Sequence, residues 1–179
     1  MGKIILITGG ARSGKSDYAL QKAETYVQNR CFIATCPVID SEMDDRIKRH
    51  KAQRSDRNWQ TIEEEIELEK IIFSNSQYRV FLVDCLTLWI NNLLYRKKQQ
   101  GHTLSEETMA ILCTSLIKTI KQQSADVIFV TNEVGMGIVP NNPMARLYRD
   151  LIGRCNRLIA TAADEVFLLS CGIPLCLKT

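Results

Sequence analysis

Short apolar runs alternate along the chain with segments of helical periodicity. The runs have strand length and occupy residues 4–7, 31–35, 80–83, 127–130 and 166–169, with a possible sixth at 173–177. Helices are predicted at residues 17–28 and 41–54, within 58–73, at 86–94 and 104–124, and after a cap at Asn142. This alternation indicates a three-layer α/β fold with a mostly parallel sheet, and residues 1–179 are expected to form a single domain.

The first apolar run leads directly into a phosphate-binding sequence, G-x-x-x-x-G-K-S, which is followed by a predicted helix. Its glycines let the backbone wrap round phosphate oxygens, so that N–H groups and the positive end of the helix converge on the anion. The Lys15 ammonium belongs at the β- and γ-phosphates, and the Ser16 hydroxyl is placed to bind Mg²⁺. A P-loop NTPase fold is therefore predicted, with nucleotide contacts from Gly9, Gly10, Ala11, Arg12, Ser13, Gly14, Lys15 and Ser16.

Acidic residues follow two later strands. Asp84 ends the run at 80–83, where the fold class places the second half of a Mg²⁺-nucleotide site. Glu133 follows the run at 127–130, and it either orients a hydroxyl or a metal-bound water or simply caps its loop. The Asn-Lys-x-Asp sequence by which switch GTPases recognise guanine does not occur, so that class is not favoured.

The chain has two histidines, which lie in different surroundings. His102 adjoins Gly101 in a polar break and is interpreted as a solvated loop residue. His50 lies among Arg46, Lys48, Arg49, Lys51 and Arg54. It is either an exposed residue of a charged helix or, since positive neighbours favour the neutral imidazole, a covalent phosphoryl or nucleotidyl carrier.

Composition excludes several classes of protein. A net charge of +3 does not suggest a nucleic-acid partner, and the seven cysteines include no C-x-x-C pair that would favour a zinc ribbon or a redox dithiol. They are interpreted as small buried apolar residues in a reducing compartment. No apolar run reaches membrane-spanning length and the N-terminus lacks a signal-peptide pattern, so a cytoplasmic protein without stable membrane insertion is expected.

Several longer motifs resemble one known family, the bifunctional adenosylcobinamide kinase / adenosylcobinamide-phosphate guanylyltransferases of cobalamin biosynthesis. The resemblance runs almost end to end, and the loop TNEVGMGIVP is much more specific than the phosphate loop. The matching residues are TGGARSGKS (8–16), IAT (33–35), DSEM (40–43), Arg46-Ile47, His50-Lys51, Trp59, TNEVGMGIVP (131–140) and AADEV (162–166).

The resemblance implies a recombinase-like P-loop fold and a two-step enzyme that needs Mg²⁺. ATP or GTP phosphorylates the aminopropanol hydroxyl of adenosylcobinamide, and GTP then donates GMP to that phosphate through a histidine that matches His50. A homotrimer is implied as well. The family's nucleotide contacts carry over, beyond the phosphate loop, to Ala34, Thr35, Cys36, Lys51, Ala52, Gln53, Arg54, Glu63 and Asp84.

Two departures from the family pattern are small. Arg54-Ser55 stands where the family usually has Arg-Pro, and Cys36 stands where a small hydroxyl residue is common. Two other functions stay open: a P-loop kinase of another small molecule that transfers no nucleotide, and a non-catalytic assembly protein controlled by nucleotide.

Overall fold

The computed structural model describes residues 1–37 and 58–179. Within them, seven strands are β1 (Ile4–Gly9), β2 (Arg30–Ala34), β3 (Trp59–Glu63), β4 (Val80–Asp84), β5 (Asp126–Val130), β6 (Glu165–Ser170) and β7 (Ile173–Lys178). Five helices are α1 (Lys15–Glu24), α2 (Leu68–Ser74), α3 (Leu86–Gln99), α4 (Glu106–Lys121) and α5 (Pro143–Ala162). In this part of the chain, none of the helices combines the length and the apolar character that crossing a bilayer requires.

All seven strands belong to one sheet, in the order β3-β2-β4-β5-β1-β6-β7. Strands β1 to β6 pair in parallel, and β7 alone returns antiparallel to β6 as an edge strand. The mostly parallel sheet of the prediction is therefore confirmed. Because the strands are parallel, their carboxyl ends and the loops that follow them meet at a single edge, which we call the carboxyl edge.

Apolar side chains of successive strand residues point to opposite faces of the sheet and form two cores. On one face, Ile4 and Leu6 pack with buried residues of α2, α3, α4 and α5. On the other, Ile5 and Ile7 pack with Ala19, among other residues of α1. The central strands β1, β2, β4 and β5 are buried on both sides, which explains why they are continuous apolar runs rather than alternating ones.

The Glu-rich helix predicted within 58–73 is wrong in its first half. Residues Trp59–Glu63 form β3, which pairs in parallel with β2 and leaves Gln60, Thr61 and Glu63 exposed. The helix begins only at Leu68, because the Glu64 carboxylate accepts the N–H groups of Ile66 and Glu67 and so turns the chain there. The order strand, turn, helix thus replaces one long helix.

Other helix boundaries also shift. Helix α1 begins at Lys15 and ends at Glu24 instead of at residue 28, and Val27, beyond its end, is 84% exposed. Helix α3 continues to Gln99 through most of the predicted polar break at 96–102, since its basic and amide side chains form helix well. His102 lies beyond it and is exposed, as predicted. The helix predicted at 41–54 lies outside the described residues.

The cysteines divide into two groups. Cys31, Cys85, Cys113 and Cys155 are buried, as predicted, and burial raises the pKa of Cys31 to about 12. Cys36 is partly buried, whereas Cys171 and Cys176 are exposed. The interpretation of every cysteine as buried is therefore wrong for the two residues of the β6–β7 hairpin, whose outer strand no further strand or helix of the described residues covers.

Candidate nucleotide site at the carboxyl edge of the sheet

The phosphate loop lies where the sequence predicts it, between the end of β1 and the start of α1. Gly14 precedes the helix with a φ of +87°, a left-handed conformation that favours glycine. Lys15 is only 7% exposed, and its ammonium donates to the Gly10 carbonyl oxygen at 2.5 Å and to the Ser13 hydroxyl at 3.4 Å. The lysine charge is therefore held inside the loop, beside the amides at the N-terminus of α1.

The β6–β7 hairpin supports the outer side of this loop. The Gly172 N–H in the hairpin turn donates to the Ser13 carbonyl oxygen at 3.0 Å. A Cβ atom added to Gly9 would lie 2.4 Å from the Leu169 carbonyl oxygen, and one added to Gly14 would lie 3.3 Å from the Gly172 Cα atom. Gly9 and Gly14 thus allow the loop to pack closely against the hairpin, in addition to allowing its backbone conformation.

Asp84 ends β4 at the same edge. Its register partners are Ala34 on β2 and Val130 on β5, and β5 separates β4 from the phosphate-loop strand. Two strand spacings place Asp84 about 10 Å along the edge from β1. The Ser16 hydroxyl, in the first turn of α1, and the Asp84 carboxylate are hard oxygen donors. This donor set suits Mg²⁺ when phosphate oxygens and water complete the coordination.

Thr35, which follows β2, is locked to the residue after Asp84. Its hydroxyl accepts the Cys85 N–H at 2.7 Å and donates to the Cys85 carbonyl oxygen at 2.8 Å, and the Asn92 amide donates to the Thr35 carbonyl oxygen at 2.8 Å. Thr35 has no exposed surface. Burial, assisted by the negative charge of Asp84, raises the pKa of the Cys85 thiol to about 11, so the thiol stays protonated and neutral at physiological pH.

The loop after β5 is fastened to the phosphate loop and to α5. The Glu133 N–H donates to the Gly9 carbonyl oxygen at 3.0 Å, and the Glu133 carboxylate accepts the Gly135 N–H within its own loop. The Asn156 side chain on α5 accepts the Thr131 hydroxyl at 2.8 Å and donates to the Asn132 carbonyl oxygen at 3.2 Å. Asn156 therefore holds the backbone that presents Glu133.

Replacing Asn156 with Ala is expected to lower kcat for phosphoryl transfer about 10-fold with little change in the nucleotide KM. The loop that presents Glu133 would lose its anchor on α5, and small displacements of reacting groups are costly. The fully buried Thr131 hydroxyl would lose its acceptor, which costs about 1–3 kcal/mol of stability. Steady-state kinetics and urea unfolding measure the two effects. Arg157→Ala, an exposed neighbour on α5, is the control. A stability loss with unchanged kcat would contradict the positioning role.

The predicted site residues fall into three groups. Residues of the phosphate loop, Asp84 and Glu133 lie around the carboxyl ends of β1, β4 and β5. Residues 34–36 lie at the carboxyl end of β2, and Glu63 is the last residue of β3. Four strand spacings separate Glu63 from β1, or about 19 Å along the edge. The third group, His50, Lys51, Ala52, Gln53 and Arg54, lies outside the described residues. The described groups thus extend along the edge instead of converging at one point.

The sheet topology and the phosphate loop between β1 and α1 together define the class of this protein. It has a three-layer α/β P-loop NTPase fold. The solved structure of the flagellar accessory protein FlaH from Methanocaldococcus jannaschii resembles the chain with a TM-score of 0.51 at 14% sequence identity, covering 99% of this chain and 78% of that one. This likeness concerns the fold alone.

The family follows from the sequence comparisons. The model of the cobinamide kinase / cobinamide phosphate guanyltransferase family matches residues 5–177. The bifunctional adenosylcobalamin biosynthesis protein CobU of Escherichia coli (strain K12) is 37% identical over an alignment of 185 residues that covers 98% of this chain and 99% of the relative. Its namesake in Salmonella typhimurium (strain LT2) is 38% identical over 182 residues, with the same coverage. The chain belongs to the cobinamide kinase / cobinamide phosphate guanyltransferase family.

Proposed function

We propose that this enzyme phosphorylates the aminopropanol hydroxyl of adenosylcobinamide with ATP or GTP and then transfers GMP from GTP to the new phosphate. The product is adenosyl-GDP-cobinamide, an intermediate in the assembly of the cobalamin nucleotide loop. The main support is the full-length family match together with an intact phosphate loop whose lysine is buried beside the helix N-terminus. Because both steps consume nucleoside triphosphates, we place the reaction in the cytoplasm, where these are supplied.

In the kinase step, the oxygen of the substrate hydroxyl attacks the γ-phosphorus, the bond from that phosphorus to the β-phosphate oxygen breaks, and the nucleoside diphosphate leaves as the hydroxyl proton is released to water. Loop amides and Lys15 stabilise the negative charge on the transferring group. To do so, the Lys15 ammonium gives up its hydrogen bond to the Gly10 carbonyl oxygen and donates to phosphate oxygens instead. Ser16 and Asp84 would hold Mg²⁺, which would neutralise negative charge on the nucleotide phosphates. Glu133 is proposed to orient the attacking hydroxyl, since its backbone is bonded to the phosphate loop at Gly9.

In the guanylyl step, a nitrogen of the His50 imidazole attacks the α-phosphorus of GTP, and the bond to pyrophosphate breaks. The acceptor phosphate then attacks the same phosphorus, the phosphorus–nitrogen bond breaks, and the neutral imidazole is restored. The support is the basic sequence round His50 and its match to the family motif. Nucleotide contacts by Ala34, Thr35, Cys36, Glu63 and residues 51–54 belong to the same proposal. The Thr35 hydroxyl, N–H and carbonyl groups are already bonded within the fold, so Thr35 would act mainly by holding its neighbours Ala34 and Cys36 in place.

We also propose a homotrimer. In the described residues, the outer strand β7 exposes Ile173, Leu175 and Leu177, whose alternate positions place them on one face of the strand at 70%, 58% and 56% exposure. An apolar edge strand of this kind is usually covered in a stable protein. Light scattering after size exclusion should give three times the mass of one chain, and a monomer would refute the trimer.

The function is tested by incubating the protein with cobinamide, Mg²⁺ and GTP labelled at either the α- or the γ-phosphate. The γ-label should appear in cobinamide phosphate, and the α-label should appear in GDP-cobinamide with release of pyrophosphate. Transfer of the γ-label alone would support a plain P-loop kinase instead. Release of neither label to a corrinoid would overturn the proposed function.

A further inference from the structure

A cleft of about 450 Å³ lies between α3 and the first two turns of α5, a volume within the usual range for small-molecule sites. Asn91, Tyr95 and Lys98, at helical spacing on one face of α3, line one wall, and Asn142, Met144 and Tyr148 line the other. We call this the α3–α5 cleft. Tyr95 is 64% exposed and Met144 is 48% exposed, so large apolar surfaces face the opening.

The α3–α5 cleft adjoins the carboxyl edge of the sheet. One wall, α3, begins just after β4 ends, and the other, α5, begins at the end of the long loop that follows β5. The Tyr148 phenol donates to the Thr87 carbonyl oxygen at 3.2 Å, three residues beyond Asp84, and the Thr87 hydroxyl in turn meets the Asn132 amide at 3.3 Å. Burial raises the pKa of Tyr148 to about 12, so its phenol remains a donor at neutral pH.

The β5 loop is held at the rim of the same cleft. The Arg146 guanidinium donates to the carbonyl oxygens of Pro140 and Asn141 at 2.9 and 2.8 Å, and the Asn142 side chain caps α5 by accepting the Met144 and Ala145 N–H groups. Within this loop Met136 and Ile138 are 83% and 96% exposed. One loop therefore connects the Glu133 contact with Gly9 to the mouth of the cleft.

We propose that the α3–α5 cleft binds the corrinoid acceptor, receiving one edge of its macrocycle. This inference rests on the proposed function, which supplies a corrinoid as the substrate. A corrin ring is a broad, largely apolar disc with carboxamide arms at its rim. Its face matches Tyr95 and Met144, and its amides match the polar side chains of Asn91 and Asn142 across the same opening.

The site also suits the chemistry, since the aminopropanol arm must reach phosphate held at the carboxyl edge while the bulky ring stays outside it. A cleft whose wall is bonded to Thr87, close to Asp84, lets the ring lie beside the edge with its arm directed inward. No group in the α3–α5 cleft then takes part in bond breaking, so its residues should govern corrinoid affinity and not nucleotide affinity.

The test is Tyr95→Ala, measured by equilibrium dialysis with dicyanocobinamide, whose visible absorbance reports the bound fraction. The corrinoid dissociation constant is expected to rise about 10-fold, and the KM for cobinamide to rise in parallel, while the KM for GTP stays constant. Ala145→Phe, which narrows the cleft, should weaken corrinoid binding as well. Phe73→Ala is the matched control, because Phe73 on α2 is 68% exposed and does not line the cleft.

Each outcome distinguishes the inference from the function on which it rests. Wild-type protein that neither binds nor modifies a corrinoid would refute the proposed function. Wild-type protein that binds the corrinoid, with Tyr95→Ala and Ala145→Phe both binding it equally well, would refute the site alone. If the two variants instead change the mass of the assembly without changing corrinoid binding, the cleft is a contact between copies of the chain and the proposal is overturned.

Discussion

Lys15→Ala is expected to lose both activities, each by at least about 100-fold. The physical reason is that the Lys15 ammonium is the buried charge of the phosphate loop, 7% exposed and within hydrogen-bond distance of Gly10 and Ser13. If both nucleotide substrates place their triphosphates in this loop, neither step can proceed without that charge. Transfer of γ-label and of α-label from GTP, measured separately, gives the two losses.

Lys22→Ala is the matched control. Lys22 lies on the same helix, α1, but its ammonium pairs with the Glu165 carboxylate at 2.7 Å, outside the phosphate loop. Both rates should stay within about twofold of wild type, since a partly exposed pair contributes little. A Lys15→Ala protein that still guanylylates normally would show that the guanylyl step uses a second nucleotide site, away from the phosphate loop.

His50→Ala is expected to abolish guanylyl transfer, on the order of 1,000-fold or more, while the kinase step is retained to within a few-fold. Removing the nucleophile eliminates the covalent intermediate, whereas γ-phosphoryl transfer does not need it. Wild-type protein incubated with GTP labelled at the α-phosphate should carry a GMP adduct that survives alkali and is lost in acid, as phosphoramidates are. The variant should carry none.

The other histidine provides the control. His102 is exposed, just beyond α3, so His102→Ala should form the adduct at the wild-type rate. An adduct that persists in His50→Ala would assign the relay to another residue. Equal loss of both activities in His50→Ala would indicate that the histidine supports the structure instead of carrying GMP.

Much of the carboxyl edge could be predicted from local sequence because its signals are local. The phosphate loop needs glycines at fixed spacing between a strand and a helix, and Asp84 follows an unbroken apolar run. Buried parallel strands are apolar on both faces, so their runs stand out whichever element covers them. These features depend on neighbours in the chain, and the structure has them where the sequence predicts them.

Strand β3 is not predicted by its own sequence because its identity depends on a distant partner. Its burial is low, and only Trp59 and Ile62 are partly covered, so nothing within residues 58–63 signals a buried strand. What makes it a strand is parallel pairing with β2, more than twenty residues away in the chain. A Glu-rich stretch with scattered isoleucines has the periodicity of a helix, and pairing in the sheet overrides that preference.

The supporting contacts of the site were equally hidden. Asn156 lies within the amphipathic pattern of α5, and Thr87 lies within α3, with no spacing that marks either as a partner of the β5 loop. Hydrogen bonds between residues that are far apart in sequence are decided by the packing of α3 and α5, which periodicity does not specify.

The hydrogen bond between Gly172 and Ser13 connects the phosphate loop to the outer edge of the sheet. The hairpin that contacts the phosphate loop also carries the apolar edge of β7, which no other strand or helix of the described residues covers. A partner that binds this edge would therefore contact a structure that is continuous with the phosphate loop. By thermodynamic reciprocity, a nucleotide that tightens the loop would strengthen association at β7 by the same factor by which association tightens the nucleotide. In a trimer built on that edge, the nucleotide affinity of each subunit would then depend on whether its neighbour has nucleotide bound.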